Sequence, residues 1–224
     1  MTVDVFADIA CPWCYIGEAH LRAALDARPH LGVERRWRPF QLQPGLPREG
    51  APRDAFFERK FGGAEAMTAA FDHVTRAGRS AGLTFRFDRL AGAPNTTDAH
   101  RLVLLGETYG RAFETADALF EGYFADGRDL NDAEDLVAIA EHAGLPGADA
   151  RALLGDGRFE AEVERSQAVA ARSGISGVPL YLFDEQFALS GAQPVAAFVQ
   201  ALDRASQAGT GGGAGSPDGA VAPG

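Results

Sequence analysis

Cysteine is nearly absent from this 224-residue chain: Cys11 and Cys14 are the only two, so a framework of several disulfides is excluded. A closed structural zinc site is equally hard to assemble, because it wants four ligands, usually as pairs at matching short spacings. There is no second cysteine pair, and His20, His30, His73, His100 and His142 stand singly. Positive charge is scarce as well. Lys60 is the only lysine, the net charge is -10 and the pI is about 4.9, which argues against a nucleic acid or an anionic membrane surface as partner. No run approaches the roughly 20 apolar residues that span a bilayer. Met1-Thr2 leads into strand-like sequence without a charged n-region, an apolar h-region or a small-residue cleavage site. A soluble, cytoplasmic protein is the expectation. Repeats, heptads and phosphate-binding loops are missing too, since Gly62-Gly63 and Gly211-Gly212-Gly213 lack a strand-loop-helix setting.

What is present centres on Cys11-Pro12-Trp13-Cys14. It lies where a strand-like run, Val3-Asp4-Val5-Phe6-Ala7, hands over to a helix whose face continues through Leu21 and Leu25, seven and eleven residues after Cys14. Cys14 should be buried on that face and Cys11 left open to attack at the helix tip. Unpaired backbone N–H groups and the helix dipole favour a thiolate there, and the thiolate is the nucleophile. Cys11 is therefore the expected attacking sulfur, and Cys14 the one that resolves the mixed disulfide.

Along the chain, Pro29 ends the first helix, and Val33 to Phe40 alternates like a half-buried strand that should pair parallel to the first. From Gln43 to Gly50 the Pro/Gly content marks a loop. Helical periodicity then runs over Pro52 to Phe61, Ala64 to Ala81, Thr97 to Tyr109, Ala112 to Ala125, Ala133 to Ala143 and Phe159 to Arg172, with a weaker segment at Ala148 to Leu154. Thr97 and Asp132 supply N-cap signals. Strand signal returns as a hairpin, Pro179 to Phe183 and Phe187 to Ser190, and a helix from Pro194 to about Gln207 follows.

Several of these stretches together resemble the FrnE-like branch of the DsbA family of thiol-disulfide oxidoreductases. They are Cys-Pro-Trp-Cys-Tyr-Ile-Gly at 11–17, Trp-Arg-Pro-Phe-Gln-Leu at 37–42, Ala-Pro-Asn-Thr-Thr-Asp-Ala-His-Arg at 93–101, Ser-Gly-Val-Pro at 176–179 and Ser-Gly-Ala-Gln-Pro at 190–194. The resemblance covers roughly residues 2 to 206. It implies an α/β protein with a thioredoxin-like fold and a large inserted α-helical domain. Residues 1–45 and 174–207 would form the discontinuous thioredoxin-like domain, 46–173 the insert, and 208–224, rich in Gly, Ala, Pro and Ser, a disordered tail.

The resemblance also implies roles. Val178-Pro179 would be a cis peptide beside the cysteines, with the Val178 backbone pairing with a substrate polypeptide as an added strand. Trp13 would shield the sulfurs. No organic cofactor or metal is implied, and protein or small-molecule thiols and disulfides are the partners, met by a monomer or a homodimer. Asp8 has two readings: a carboxylate capping the active-site helix, or the proton acceptor for the Cys14 thiol. Many thioredoxin-fold proteins carry an acid six positions before the first cysteine, and here that position is Val5. His100 reads as a hydrogen-bonded packing residue, with contact to substrate as the alternative. The same architecture is similar to glutathione-dependent isomerases and transferases of the 2-hydroxychromene-2-carboxylate isomerase and kappa-class types, in which glutathione is the co-substrate. Those generally lack the second cysteine, so Cys14 argues against that reading. A chaperone-like module that holds polypeptides in an apolar groove is the third.

Overall fold

The computed structural model describes residues 1–210, with side chains to residue 208. The tail expected at 208–224 lies outside the described residues from 211 onward, and its first three residues continue the last helix. Four strands form the main sheet: β1 (Thr2–Ala7), β2 (Glu34–Pro39), β5 (Leu180–Phe183) and β6 (Phe187–Ser190), in the order β2-β1-β5-β6. β1 pairs parallel to β2, as the intervening helix requires, and antiparallel to β5; β5 and β6 form the hairpin. A two-residue ladder, β3 (Ala51–Pro52) with β4 (Gly92–Ala93), lies inside the segment expected to be helical with little strand signal.

Alternation along β1 sorts its side chains between two faces. Val3, Val5 and Ala7 enter the main core, while Phe6 joins Phe40 and Ala170 on the opposite face. Asp4, buried on that second face, is held by Arg38. The first face is covered by α1 (Pro12–Asp26) and α9 (Val195–Thr210), and the second by α8 (Glu160–Arg172), which packs on β2.

Between β2 and β5 run α2 (Arg53–Phe61), α3 (Ala64–Ser80), α4 (Thr97–Thr108), α5 (Ala112–Glu121), α6 (Ala133–His142) and α7 (Gly147–Leu154) ahead of α8. Asp132 caps α6 as its sequence signals, accepting from the N–H groups of Glu134 and Asp135. Thr97 does not cap α4. It is the first helical residue, the N-cap position belongs to Thr96, and the Asn95 side chain accepts the Thr97 N–H at 3.0 Å while donating to the Leu46 carbonyl at 2.8 Å. α5 stops at Glu121 and continues as a π-turn over Gly122–Asp126 that places Tyr123 and Phe124 in the core. The turn packs closely on α6 at Gly122, where a Cβ would lie 2.8 Å from Ile139 Cδ1. The helical segment is pinned to α1 by aromatic contact: Tyr15 stacks on Phe120 at 5.1 Å and meets Phe85 edge-on at 5.8 Å.

Candidate functional site

Cys11 is the N-cap residue of α1, just beyond the carboxyl end of β1, with Pro12 in the first helical turn. Its N–H donates to the Asp8 carbonyl at 3.0 Å, and its own carbonyl accepts the Cys14 N–H at 3.0 Å. Both cysteines are free thiols, 3.4 Å apart. Both are also buried, Cys11 at 4% and Cys14 at 1% exposure, which corrects the expectation of an open Cys11. The cause is tertiary. Rings from α2 and α3, far along the chain, roof a cavity of about 320 Å³ that Cys11 lines together with Trp13, Phe57, Phe71, Val74 and Val178. Lys60 and His73 line it too, and His73 packs its ring on Trp13 at 5.5 Å.

The Val178-Pro179 peptide is cis, and the Val178 carbonyl oxygen is 3.8 Å from Cys11 Sγ. Burial pushes the Cys14 thiol well above its ordinary range, and the hydrogen bond and charge of Cys11 push it further. The two sulfurs are therefore inequivalent, and Cys14 holds its proton more tightly than an ordinary thiol.

Asp8 is almost wholly buried. Its Oδ1 accepts from the Ala10 N–H at 3.2 Å, and its Oδ2 from the Leu42 N–H at 2.7 Å. α1 has no side-chain cap, so Asp8 is not the cap of that helix; it braces the turn carrying Cys11 against the segment after β2. His100 stands behind Asp8, fully buried and off the cavity wall. Trp37 Nε1–H donates to His100 Nδ1 at 3.3 Å, and indole is only a donor, so the network assigns the ring proton to Nε2. That proton is donated to the Phe40 carbonyl at 3.1 Å, with Asp8 Oδ1 at 3.5 Å.

Sequence reasoning missed the cavity walls Phe57, Lys60, Phe71 and His73, which carry no local mark of proximity to Cys11. It also missed Glu18 and Tyr181, both buried near Cys14. A charged residue one helical turn after Cys14 on a face expected to be apolar was a signal for Glu18. Among the described residues no group of three or more His, Cys, Asp and Glu is placed to hold a metal ion, and no helix is long and apolar enough to cross a membrane.

The model of the DSBA-like thioredoxin domain matches residues 2–203. The uncharacterized protein YwbO of Bacillus subtilis (strain 168) is 23% identical over 185 residues, covering 82% of this chain and 86% of YwbO. The crystal structure of the probable DsbA oxidoreductase SCO1869 of Streptomyces coelicolor superposes with a TM-score of 0.85 at 36% identity over 100% of both chains. The cytosolic disulfide reductase DsbM of Pseudomonas aeruginosa, also solved with GSH, shares the fold at a TM-score of 0.62 and 18% identity, over 94% of this chain and 98% of DsbM. With its thioredoxin-like α/β fold and large helical insertion, the chain belongs to the DSBA-like thioredoxin domain family of thiol-disulfide oxidoreductases.

Proposed function

We propose that the protein exchanges disulfides with polypeptide substrates through Cys11 and Cys14. The observation that carries this reading is a pair of free thiols 3.4 Å apart at the start of α1, with the first sulfur facing a cavity and the Val178 carbonyl. In the reducing direction the Cys11 thiolate attacks a substrate disulfide, one substrate sulfur leaves as a thiolate, and a mixed disulfide forms. Cys14 then loses its proton and attacks Cys11 Sγ. The Cys11-Cys14 bond forms, the second substrate thiolate leaves, and two electrons have passed to the substrate. Run in reverse, the same steps oxidise a dithiol. The apolar cavity takes a side chain flanking the substrate sulfur, and the Val178 backbone pairs with the substrate chain. Trp13 covers the sulfurs from the cavity side.

In this reading Asp8 and His100 hold the geometry of the Cys11 turn. Both Asp8 oxygens are engaged, Oδ1 by the Ala10 N–H and Oδ2 by the Leu42 N–H, with His100 beside Oδ1. DsbM has been solved with GSH, and glutathione as co-substrate is the competing reading for this chain.

The test is turnover on an insulin-type protein disulfide with Cys11→Ser and Cys14→Ser. Cys11→Ser should abolish turnover, and Cys14→Ser should accumulate a covalent adduct on Cys11 visible by intact mass. Cys14→Ser that turns over as fast as wild type with glutathione supplied would replace the dithiol mechanism with the glutathione-dependent one. Activity surviving loss of Cys11 would remove both.

A further inference from the structure

The single lysine of the chain has no part in the steps above. Lys60, near the end of α2, stands beside phenyl rings: its Nζ lies 5.9 Å from the Phe56 centroid and 5.8 Å from that of Phe61. It makes no ion pair among the described residues, whereas Arg53 at the head of the same helix is paired with Asp54. Lys60 and Cys11 line the same cavity, and His73 of α3 lines it with them. Among the described residues no aspartate or glutamate lines that space, although the chain carries 31 acidic residues against 21 lysines and arginines. Apart from Cys11, the remaining walls are aromatic and aliphatic. The space beside the reactive sulfur is therefore apolar with a basic side, the reverse of the charge of the molecule around it.

We propose that Lys60 is a specificity-determining residue that selects polypeptide substrates with an acidic residue close to the cysteine, beside the large apolar residue that fills the cavity. The inference rests on the dithiol reading above and names the substrate class for it. Apolar walls draw in an apolar side chain by removing its surface from water. The same walls thin the water around the Lys60 ammonium, so a carboxylate brought beside it is attracted more strongly than across open solvent. A substrate lying extended along the Val178 backbone turns alternate side chains to the same side, so residues two positions from its cysteine face the enzyme together with the cysteine. The flexible four-carbon stem of lysine lets its charge follow an acidic group at either of those positions.

The overall charge of the chain acts in the opposite direction. With a net charge of -10 its summed field attracts cationic peptides and repels acidic ones. A preference for an acidic substrate therefore has to come from a local cation, and Lys60 is the fully charged side chain on the cavity wall. The sign of the preference separates the two effects.

The experiment mixes the pre-reduced full chain with peptides whose cysteine is held in a disulfide to one constant capping thiol, and measures the second-order rate of peptide thiol release at neutral pH. Each peptide keeps a phenylalanine two positions from the cysteine and carries Glu, Gln or Lys at one of the other flanking positions. Rates are divided by those of the same peptides with dithiothreitol, which removes their intrinsic reactivity. In at least one register wild type should release the Glu peptide about threefold to fivefold faster than the Gln peptide, the size of an exposed ion pair, and the Lys peptide more slowly than either. About 0.5 M salt should shrink the ratio. Lys60→Gln should bring the Glu-to-Gln ratio to one or below, and Lys60→Arg should keep it; because each ratio is taken within one protein, a general loss of activity cancels. Glu peptides no faster than Gln peptides in every register, or a preference that persists in Lys60→Gln, would overturn the selectivity while Cys11-dependent release leaves the dithiol reading standing. A Lys60→Gln protein that loses glutathione turnover but keeps the peptide ratio would assign the lysine to glutathione and overturn the proposal as well. Release from none of the peptides, or release that survives Cys11→Ser, would overturn the dithiol reading and the selectivity with it.

Discussion

Replacing Gly17 with alanine probes how closely β5 is seated on α1 at the level of Cys14. In an ordinary helix interior the change gains about 0.5–1 kcal/mol, because glycine loses more backbone freedom on folding. Here the new Cβ would collide with the Tyr181 hydroxyl oxygen and lie 3.2 Å from Pro179 Cγ and 3.3 Å from Tyr181 Cζ. Overpacking of this kind costs about 1–3 kcal/mol, so a net loss of about 1–2 kcal/mol is expected. Tyr181→Phe by itself breaks no hydrogen bond, since the hydroxyl has no partner, and should be near neutral. In the Tyr181→Phe background the alanine keeps only the two tighter carbon contacts, and its helix preference is recovered. The double-mutant cycle should therefore show a coupling of about 1–3 kcal/mol. Urea unfolding of the four proteins at one pH, followed by far-ultraviolet circular dichroism, measures it. Equal costs of Gly17→Ala in the two backgrounds would refute the placement of the hydroxyl against Gly17.

Glu18 should also leave a mark on global stability. Its native carboxyl holds its proton to about 7, whereas the unfolded chain releases it near 4.5, so stability falls as pH rises through that window. At about 1.36 kcal/mol per pH unit the ceiling of this loss is about 3 kcal/mol, and Glu18→Gln should flatten the slope; an unchanged slope in chemical denaturation would count against the burial of this group. Asp8→Ala strips the Leu42 and Ala10 N–H groups of their acceptor and should cost about 3 kcal/mol, read as a shift of the urea midpoint; a loss below about 1 kcal/mol would show that the brace is dispensable. Alkylation with iodoacetamide at neutral pH should modify Cys11 before Cys14, because Cys14 is the more deeply buried and burial pushes its thiol above the ordinary range. Peptide mass mapping showing Cys14 labelled first would reverse the roles of the two sulfurs.

The reach of local signals explains which parts of the site could be read from residues alone. Strand alternation at 3–7, the proline that opens α1 and the apolar face through Leu21 act within one window of the chain, and the structure places β1 and α1 where they indicate. The order of the cysteines, with Cys11 first at the helix start, comes from the same window. The start of α4 turns on a short-range ambiguity. Asn95, Thr96 and Thr97 are all capping residue types, and the choice falls to the Asn95 side chain because its amide also reaches the Leu46 carbonyl of a distant loop.

By itself the sequence determined the α/β class, the sequential order of strands and helices, and a dithiol at the head of a helix, because propensity, periodicity and capping are properties of neighbouring residues. The tertiary structure alone decided that Cys11 is roofed, since its cover is α2 and α3 folding back over the end of β1. It alone committed Asp8 to Leu42 and His100, and it alone brought Tyr181 onto Gly17 beside Glu18. The reason is physical: whether a buried polar atom has a partner, and so what chemistry it can perform, depends on atoms contributed by elements distant in the chain. No local pattern encodes that.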